Sequence, residues 1–142
     1  MYRRDYLVRQ FEEFGKVLAM ILGLKKDENF PELLDQIEEA SEKFTSTEIN
    51  YAEILDDDKL LDTLLVTKKL NDEQLKMLAD LLYEKAEYHL KAQRTQTFEA
   101  DATNCYKKAY IIYLFLKERA TLPYSLDMHY KVEILSKMGL LQ

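Results

Sequence analysis

The sequence has few of the residues that interrupt or cross-link a polypeptide chain. Its 142 residues include three Gly, two Pro, one Cys and no Trp. A single cysteine, Cys105, excludes an internal disulfide framework and suits a reducing compartment. Because Gly and Pro interrupt helices and no sustained β-branched alternation occurs, the composition predicts helices.

Long apolar runs are also missing. The apolar runs at residues 17–24 and 109–116 are far below the roughly 20 residues that span a bilayer. The first run follows an amphipathic segment and no small-residue cleavage site comes after it, unlike a secretory signal. We therefore expect a cytoplasmic protein with no membrane partner. The length suits one helical domain over residues 1–142.

Motifs for catalysis and cofactor binding are absent. Three glycines leave no Gly-rich phosphate loop or nucleophile elbow. A ferritin-like di-iron site needs Glu-x-x-His on two helices, but Ala86 and Leu126 stand three residues before His89 and His129. The sequence predicts a non-enzymatic protein with no catalytic residues, no cofactor and no metal site.

The run of three aspartates and the single cysteine each suggest a chemical role, but the residues around them do not support one. Residues 56–58 are three aspartates, but the EF-hand positions for Gly and Glu hold Leu61 and Thr67. We interpret Asp58 as the N-cap of a helix over residues 60–66. Cys105 lies on a predicted core face, and we interpret it as a packing residue.

One histidine leaves an alternative open. His129 and Glu133 stand four residues apart, so they share a helix face as an incomplete metal site. An enzyme or metal-binding helical bundle that uses this pair is therefore the rival hypothesis. For His89, we expect a surface position or a hydrogen-bonded structural role.

Apolar spacings of three and four residues predict an all-α fold of six or seven antiparallel helices, in tetratricopeptide-like or irregular bundle packing. The fold is organised around a helical hairpin over residues 71–119, and its second helix has the larger apolar surface. The first helix of the chain should run from about Arg4 to Leu24, and the second should begin near Pro31. Thr45 with Glu48, and Asn71 or Asp72 with Gln74, are predicted capping boxes. The predicted buried stripes are Leu7, Phe11, Phe14, Leu18 and Ile21; Leu33, Ile37, Ala40 and Phe44; Leu75, Leu78, Leu82, Ala86 and Leu90; Ala102, Cys105, Ala109, Ile112 and Leu116; and Tyr130, Ile134 and Met138.

The net charge of −6 is unevenly distributed. Residues 1–26 carry +3, residues 27–101 carry −12 and residues 102–142 carry +3. Arg3, Arg4 and Arg9 form a basic patch, which makes a weak nucleic-acid binder an alternative. However, counterion release requires many positive contacts, and an acidic chain offers few beyond this patch.

The tyrosines of the last long helix are the candidate functional residues. Tyr106, Tyr110 and Tyr113 recur at spacings of four and three beside the predicted core stripe. Tyrosine combines an apolar ring with a hydroxyl and is enriched at interfaces. Two interpretations remain open, and they are compatible with each other: this helix is central in the monomer, or the tyrosines form a protein-binding face.

Two resemblances add to this interpretation. Ala102, Tyr106 and Ala109 resemble the small-aromatic-small signature of the second helix of a tetratricopeptide repeat. The preceding Leu82, Tyr83 and Ala86 are loosely similar to its first helix. That resemblance implies protein or peptide binding. The segment 2–10 resembles the start of a group of small uncharacterised bacterial proteins, which implies a bacterial source.

We therefore expect a non-enzymatic module that binds a protein or peptide. Self-association as a homo-oligomer is part of this prediction.

Overall fold

The computed structural model describes residues 2–92, 96–119 and 126–141. These residues form seven α-helices and no strand, which confirms the predicted all-α helical bundle. The helices are α1 (Tyr2–Lys26), α2 (Phe30–Thr45), α3 (Ile49–Ile54), α4 (Asp57–Asp62), α5 (Asp72–Ala92), α6 (Gln96–Arg119) and α7 (Leu126–Ser136), with a π-helical segment (Thr63–Thr67) after α4.

The two longest consecutive helices after α1 form the predicted antiparallel hairpin. Asp72 at the start of α5 pairs with Arg119 at the end of α6, at 3.2 Å. Near the middle of both helices, the Tyr83 and Tyr106 rings meet edge to face at 5.3 Å. Since residues early in α5 face residues late in α6, the helices run in opposite directions.

The first two helices continue this antiparallel order. Phe14 of α1 packs against Phe44 at the end of α2, with ring centroids 5.3 Å apart. Phe30 at the start of α2 meets Tyr88 near the end of α5, at 6.4 Å. The helix α2 therefore lies between α1 and α5.

The predicted start of α5 is confirmed by a reciprocal capping box. The Asn71 side-chain oxygen accepts from the Gln74 amide at 2.8 Å, and the Gln74 side chain accepts from the Asn71 amide at 3.1 Å. Both bonds satisfy amides that a helix start leaves without an intrahelical partner.

Two other predicted helix starts are wrong. Thr45 is the last residue of α2, and its hydroxyl donates back to the Ser41 carbonyl at 2.6 Å instead of capping α3. The N-cap of α3 is Glu48, without a side-chain capping bond. Similarly, α4 begins at Asp57 after Asp56, so Asp58 lies inside the helix.

Most predicted core stripes are buried as expected. Those of α2 and α6 are confirmed completely, and in α5 only Leu90 is exposed. In α1, Phe14 and Ile21 are buried but Phe11 is exposed. Since Phe14 already packs at the end of the shorter α2, the preceding residues of α1 extend beyond it.

The stripe predicted for α7 is wrong. Tyr130, Ile134 and Met138 are exposed, whereas Val132 and Leu135 are buried. Apolar residues occur on both sides of α7, so periodicity alone did not determine which side faces the core.

Candidate functional site

The structure places two of the three candidate tyrosines in the core. Tyr113 is fully buried, and its hydroxyl donates to the Asp80 carboxylate. Tyr106 is 5% exposed and donates to Glu87. Burial and the neighbouring carboxylates raise the pKa of both hydroxyls. Tyr110 is half-buried. The hydrogen bonds hold the Tyr106 and Tyr113 hydroxyls against α5, so Tyr110 is the most exposed of the three tyrosines.

Asp80, a buried carboxylate on α5, contacts side chains of α6 and α7. Besides the Tyr113 hydroxyl, Asp80 is paired with Lys76 at 2.8 Å and with Lys131 of α7 at 3.5 Å. Lys131 also pairs with Asp127 at 3.1 Å. Although burial lowers the pKa of Lys131, both carboxylates raise it, and the net shift is upwards. These hydrogen bonds and ion pairs connect α5, α6 and α7, and each charged group among them has a partner of opposite charge.

A second network of ion pairs connects α1 to α5. Lys25 pairs with Glu84 at 2.7 Å and lies 3.7 Å from Glu87, which accepts the Tyr106 hydroxyl. Glu84 is buried and Lys25 is partly exposed, so this pair supplies the opposite charge to a carboxylate that is removed from water. Such a pair is costly to break because the remaining charge has no partner.

A third cluster brings together residues that the sequence did not link. Glu53 of α3, His89 of α5 and Cys105 of α6 have potential metal-ligand atoms within 4.8 Å of one another. The Glu53 Oε2 and His89 Nε2 atoms are 3.5 Å apart, and Lys85 pairs with Glu53 Oε1. Lys85 also donates to Asn50.

The charges of this third cluster are set by its contacts. Burial alone would raise the pKa of Glu53, but its contacts with His89 and Lys85 lower it below its usual value. Burial and the Glu53 carboxylate raise the pKa of the Cys105 thiol. Without a bound cation, Glu53 is therefore a carboxylate beside a protonated thiol. The packing role predicted for Cys105 agrees with its full burial, but its polar neighbours were missed.

The aspartate run after α3 has a structural role. Asp57 pairs with Lys108 at 2.7 Å and with Lys107 at 2.9 Å. These contacts hold the pKa of Asp57 below its usual value against the effect of burial. They attach α4 to α6.

The remaining candidates from the sequence are the His129–Glu133 pair and the N-terminal arginines. His129 and Glu133 lie 3.1 Å apart on the exposed side of α7. In the described ranges, no third metal-ligand group joins this pair. Arg9 is exposed, whereas the Arg3 and Arg4 side chains lie outside the described residues.

The outer side of α7 carries a continuous apolar stripe. Leu126, Tyr130, Ile134 and Met138 are 59%, 58%, 46% and 43% exposed. We call these four residues the α7 outer stripe. Leu126, Tyr130 and Ile134 lie four residues apart on adjoining turns of α7, and Met138 follows in the turn after the helix ends at Ser136.

A groove adjoins one end of this stripe. It has a volume of about 410 Å³ and lies between the end of α5, the first half of α6 and the segment after α7. Its lining consists of Leu90, Glu99, Ala102, Thr103, Tyr106, Met138 and Leu140. Met138 belongs to both surfaces, so the groove and the α7 outer stripe are continuous.

Comparison with known proteins found no matching family model, curated protein or solved structure. Among the described helices, none is long and apolar enough to cross a membrane.

Proposed function

We propose that this chain is a non-enzymatic, cytoplasmic protein-binding module whose docking surface is the α7 outer stripe with the adjoining groove. The observation that carries this proposal is the exposure of three large apolar side chains at helical spacing on α7, together with Met138 in the turn that follows. Contiguous apolar surface of this kind is typical of interaction sites. The resemblance of the α5–α6 hairpin to a tetratricopeptide repeat favours the same class of function.

The partner that fits this surface is an amphipathic helix. A straight apolar ridge on such a helix can pack along α7, with one side chain entering the groove beside Met138. Fully burying a large apolar side chain contributes about 1.5–3 kcal/mol, so covering four half-exposed residues contributes roughly 4 kcal/mol. A micromolar complex requires about 8 kcal/mol. The partner helix must therefore fill the groove as well.

The test uses a displayed library of amphipathic helical peptides, selected on the folded chain. Selected peptides should bind the wild type and lose at least about tenfold in affinity when Tyr130→Lys and Ile134→Lys are combined, since each change removes apolar contact worth about 1 kcal/mol. The matched control is Val66→Lys, which changes an apolar side chain that is 63% exposed outside the stripe. It should leave peptide affinity unchanged.

Sedimentation velocity over a range of concentrations tests whether a second copy of the chain also uses this surface. A dimer that the stripe double variant abolishes would support self-association. Failure to select any peptide, or equal binding by the wild type and the stripe double variant, would contradict the proposed docking surface.

A further inference from the structure

Glu53, His89 and Cys105 present a carboxylate, an imidazole and a thiol, which are the ligand types that proteins use for zinc. They come from three helices that are distant in sequence, yet their donor atoms lie within 4.8 Å of one another. Neighbouring ligand atoms around tetrahedral zinc are about 3.3–3.8 Å apart when bond lengths are about 2.0–2.3 Å. The 3.5 Å separation of Glu53 Oε2 and His89 Nε2 already meets this condition.

The surrounding contacts support the carboxylate in a ligand position. Lys85 pairs with Glu53 Oε1, which leaves Oε2 on the side of His89. Asn104 of α6 donates to the Glu53 backbone carbonyl at 2.8 Å. It thereby fixes α3 against the helix that carries Cys105. Contacts of this kind orient ligands from outside the metal coordination sphere.

We propose that Glu53, His89 and Cys105 form a zinc site that joins α3, α5 and α6. A water molecule supplies the fourth ligand. On binding, the Cys105 S–H bond breaks, an S–Zn bond forms and the proton passes to solvent. This inference is independent of the α7 docking surface.

The charge balance is compatible with a divalent cation. Glu53 and the Cys105 thiolate together carry two negative charges, which compensate zinc, and Lys85 leaves one positive charge in the cluster. Asp101, half-buried one turn before Cys105, adds a negative charge near the thiol and offsets that positive charge.

The first test is titration of chelator-treated protein with Co²⁺ alone, followed by displacement with Zn²⁺. One cobalt should bind per chain and produce thiolate-to-cobalt charge transfer together with the intense visible bands of tetrahedral cobalt. Zinc should abolish both signals. A cobalt spectrum without thiolate charge transfer would overturn the proposal.

Variants assign the ligands. Cys105→Ser should remove the charge-transfer band, and His89→Gln should weaken metal binding by at least ~100-fold, since even changes outside the coordination sphere cost 10–100-fold. The matched control is His129→Gln, which alters the other histidine, paired with Glu133 on the surface. It should leave cobalt affinity unchanged. Equal weakening by both histidine variants would contradict the assignment.

Thermal unfolding provides a readout that does not require every variant to fold. Zinc at 100 times the wild-type Kd should raise the Tm of the wild type by roughly 8 °C and that of His89→Gln by no more than about 1 °C. If Cys105→Ser fails to fold, the wild-type cobalt spectrum and His89→Gln decide the question. No shift of the wild-type Tm at saturating zinc would overturn the proposal.

Discussion

Removal of the Tyr113 hydroxyl tests the buried network between α5 and α6. Tyr113→Phe retains the fully buried ring and deletes only the group that donates to Asp80. Asp80 keeps Lys76 at 2.8 Å and Lys131 at 3.5 Å as partners. The substitution therefore isolates one hydrogen bond to a buried, charge-compensated carboxylate.

The expected loss follows from this arrangement. A hydrogen bond to a charged group contributes about 1.5–3 kcal/mol, whereas complete loss of the partner of a buried charge costs about 3–5 kcal/mol. Because the two lysines remain, we expect the free energy of unfolding to fall by about 2 kcal/mol. For a chain of this length, the Tm should decrease by roughly 6 °C.

Urea unfolding followed by far-ultraviolet circular dichroism measures this change. The midpoint should fall while the slope stays constant, because the folded state remains equally compact. Tyr110→Phe is the matched control, since this half-buried hydroxyl has no hydrogen bond within the described part of the chain. Its change should remain within about 0.5 kcal/mol.

A double-mutant cycle with Asp80→Asn assigns the loss to the proposed contact. The two substitutions should be non-additive by about 1 kcal/mol or more, because they remove opposite ends of one interaction. If Tyr113→Phe costs no more than Tyr110→Phe, or if the cycle is additive, the network does not stabilise the fold as described.

Three further predictions follow from individual contacts. Asn71→Ala should lower the free energy of unfolding by about 1 kcal/mol in a urea titration, because it removes half of the capping box; an unchanged midpoint would contradict this. Ile134→Lys should change stability by less than about 0.5 kcal/mol, whereas Leu135→Lys should unfold the chain by burying an unpaired charge, and thermal melts distinguish the two. In metal-free protein, stability should fall by up to ~1.4 kcal/mol per pH unit above about pH 9, because Cys105 ionises in the unfolded chain while its raised pKa keeps the folded thiol protonated. Cys105→Ala should remove this contribution from urea titrations repeated across that pH range.

The start and core face of α2 and the start of α5 were predicted correctly, because they depend on residues that are neighbours in the sequence. In α2, a proline in the first turn and apolar residues at regular spacing led to the correct start and core face. The Asn71–Gln74 capping box likewise forms within four residues, so its geometry was already implied by the sequence. At Thr45, however, the same pattern had a competing acceptor, the Ser41 carbonyl one turn earlier, and the hydroxyl closes α2 instead of opening α3.

The orientation of α7 required tertiary information. Both of its faces carry apolar residues, and the inward face includes Lys131, which a periodicity argument assigns to solvent. This lysine can be buried because Asp80, 51 residues earlier, supplies the opposite charge. Its position turns Tyr130 and Ile134 outwards. The exposed stripe on which the proposed docking surface depends was therefore visible as a pattern but had been placed on the wrong side.

The central role of α5 depends on the same kind of long-range pairing. Its sequence predicted one buried apolar stripe, yet Asp80, Glu84, Lys85 and His89 are buried as well. Each lies beside an ionisable side chain from a different part of the chain, such as Lys25 for Glu84 and Glu53 for Lys85. A charged residue marks a solvent-facing position only when no distant partner compensates it. The buried charged residues of α5 therefore contact α1, α3 and α7. At the contact with α3, His89 lies next to Cys105.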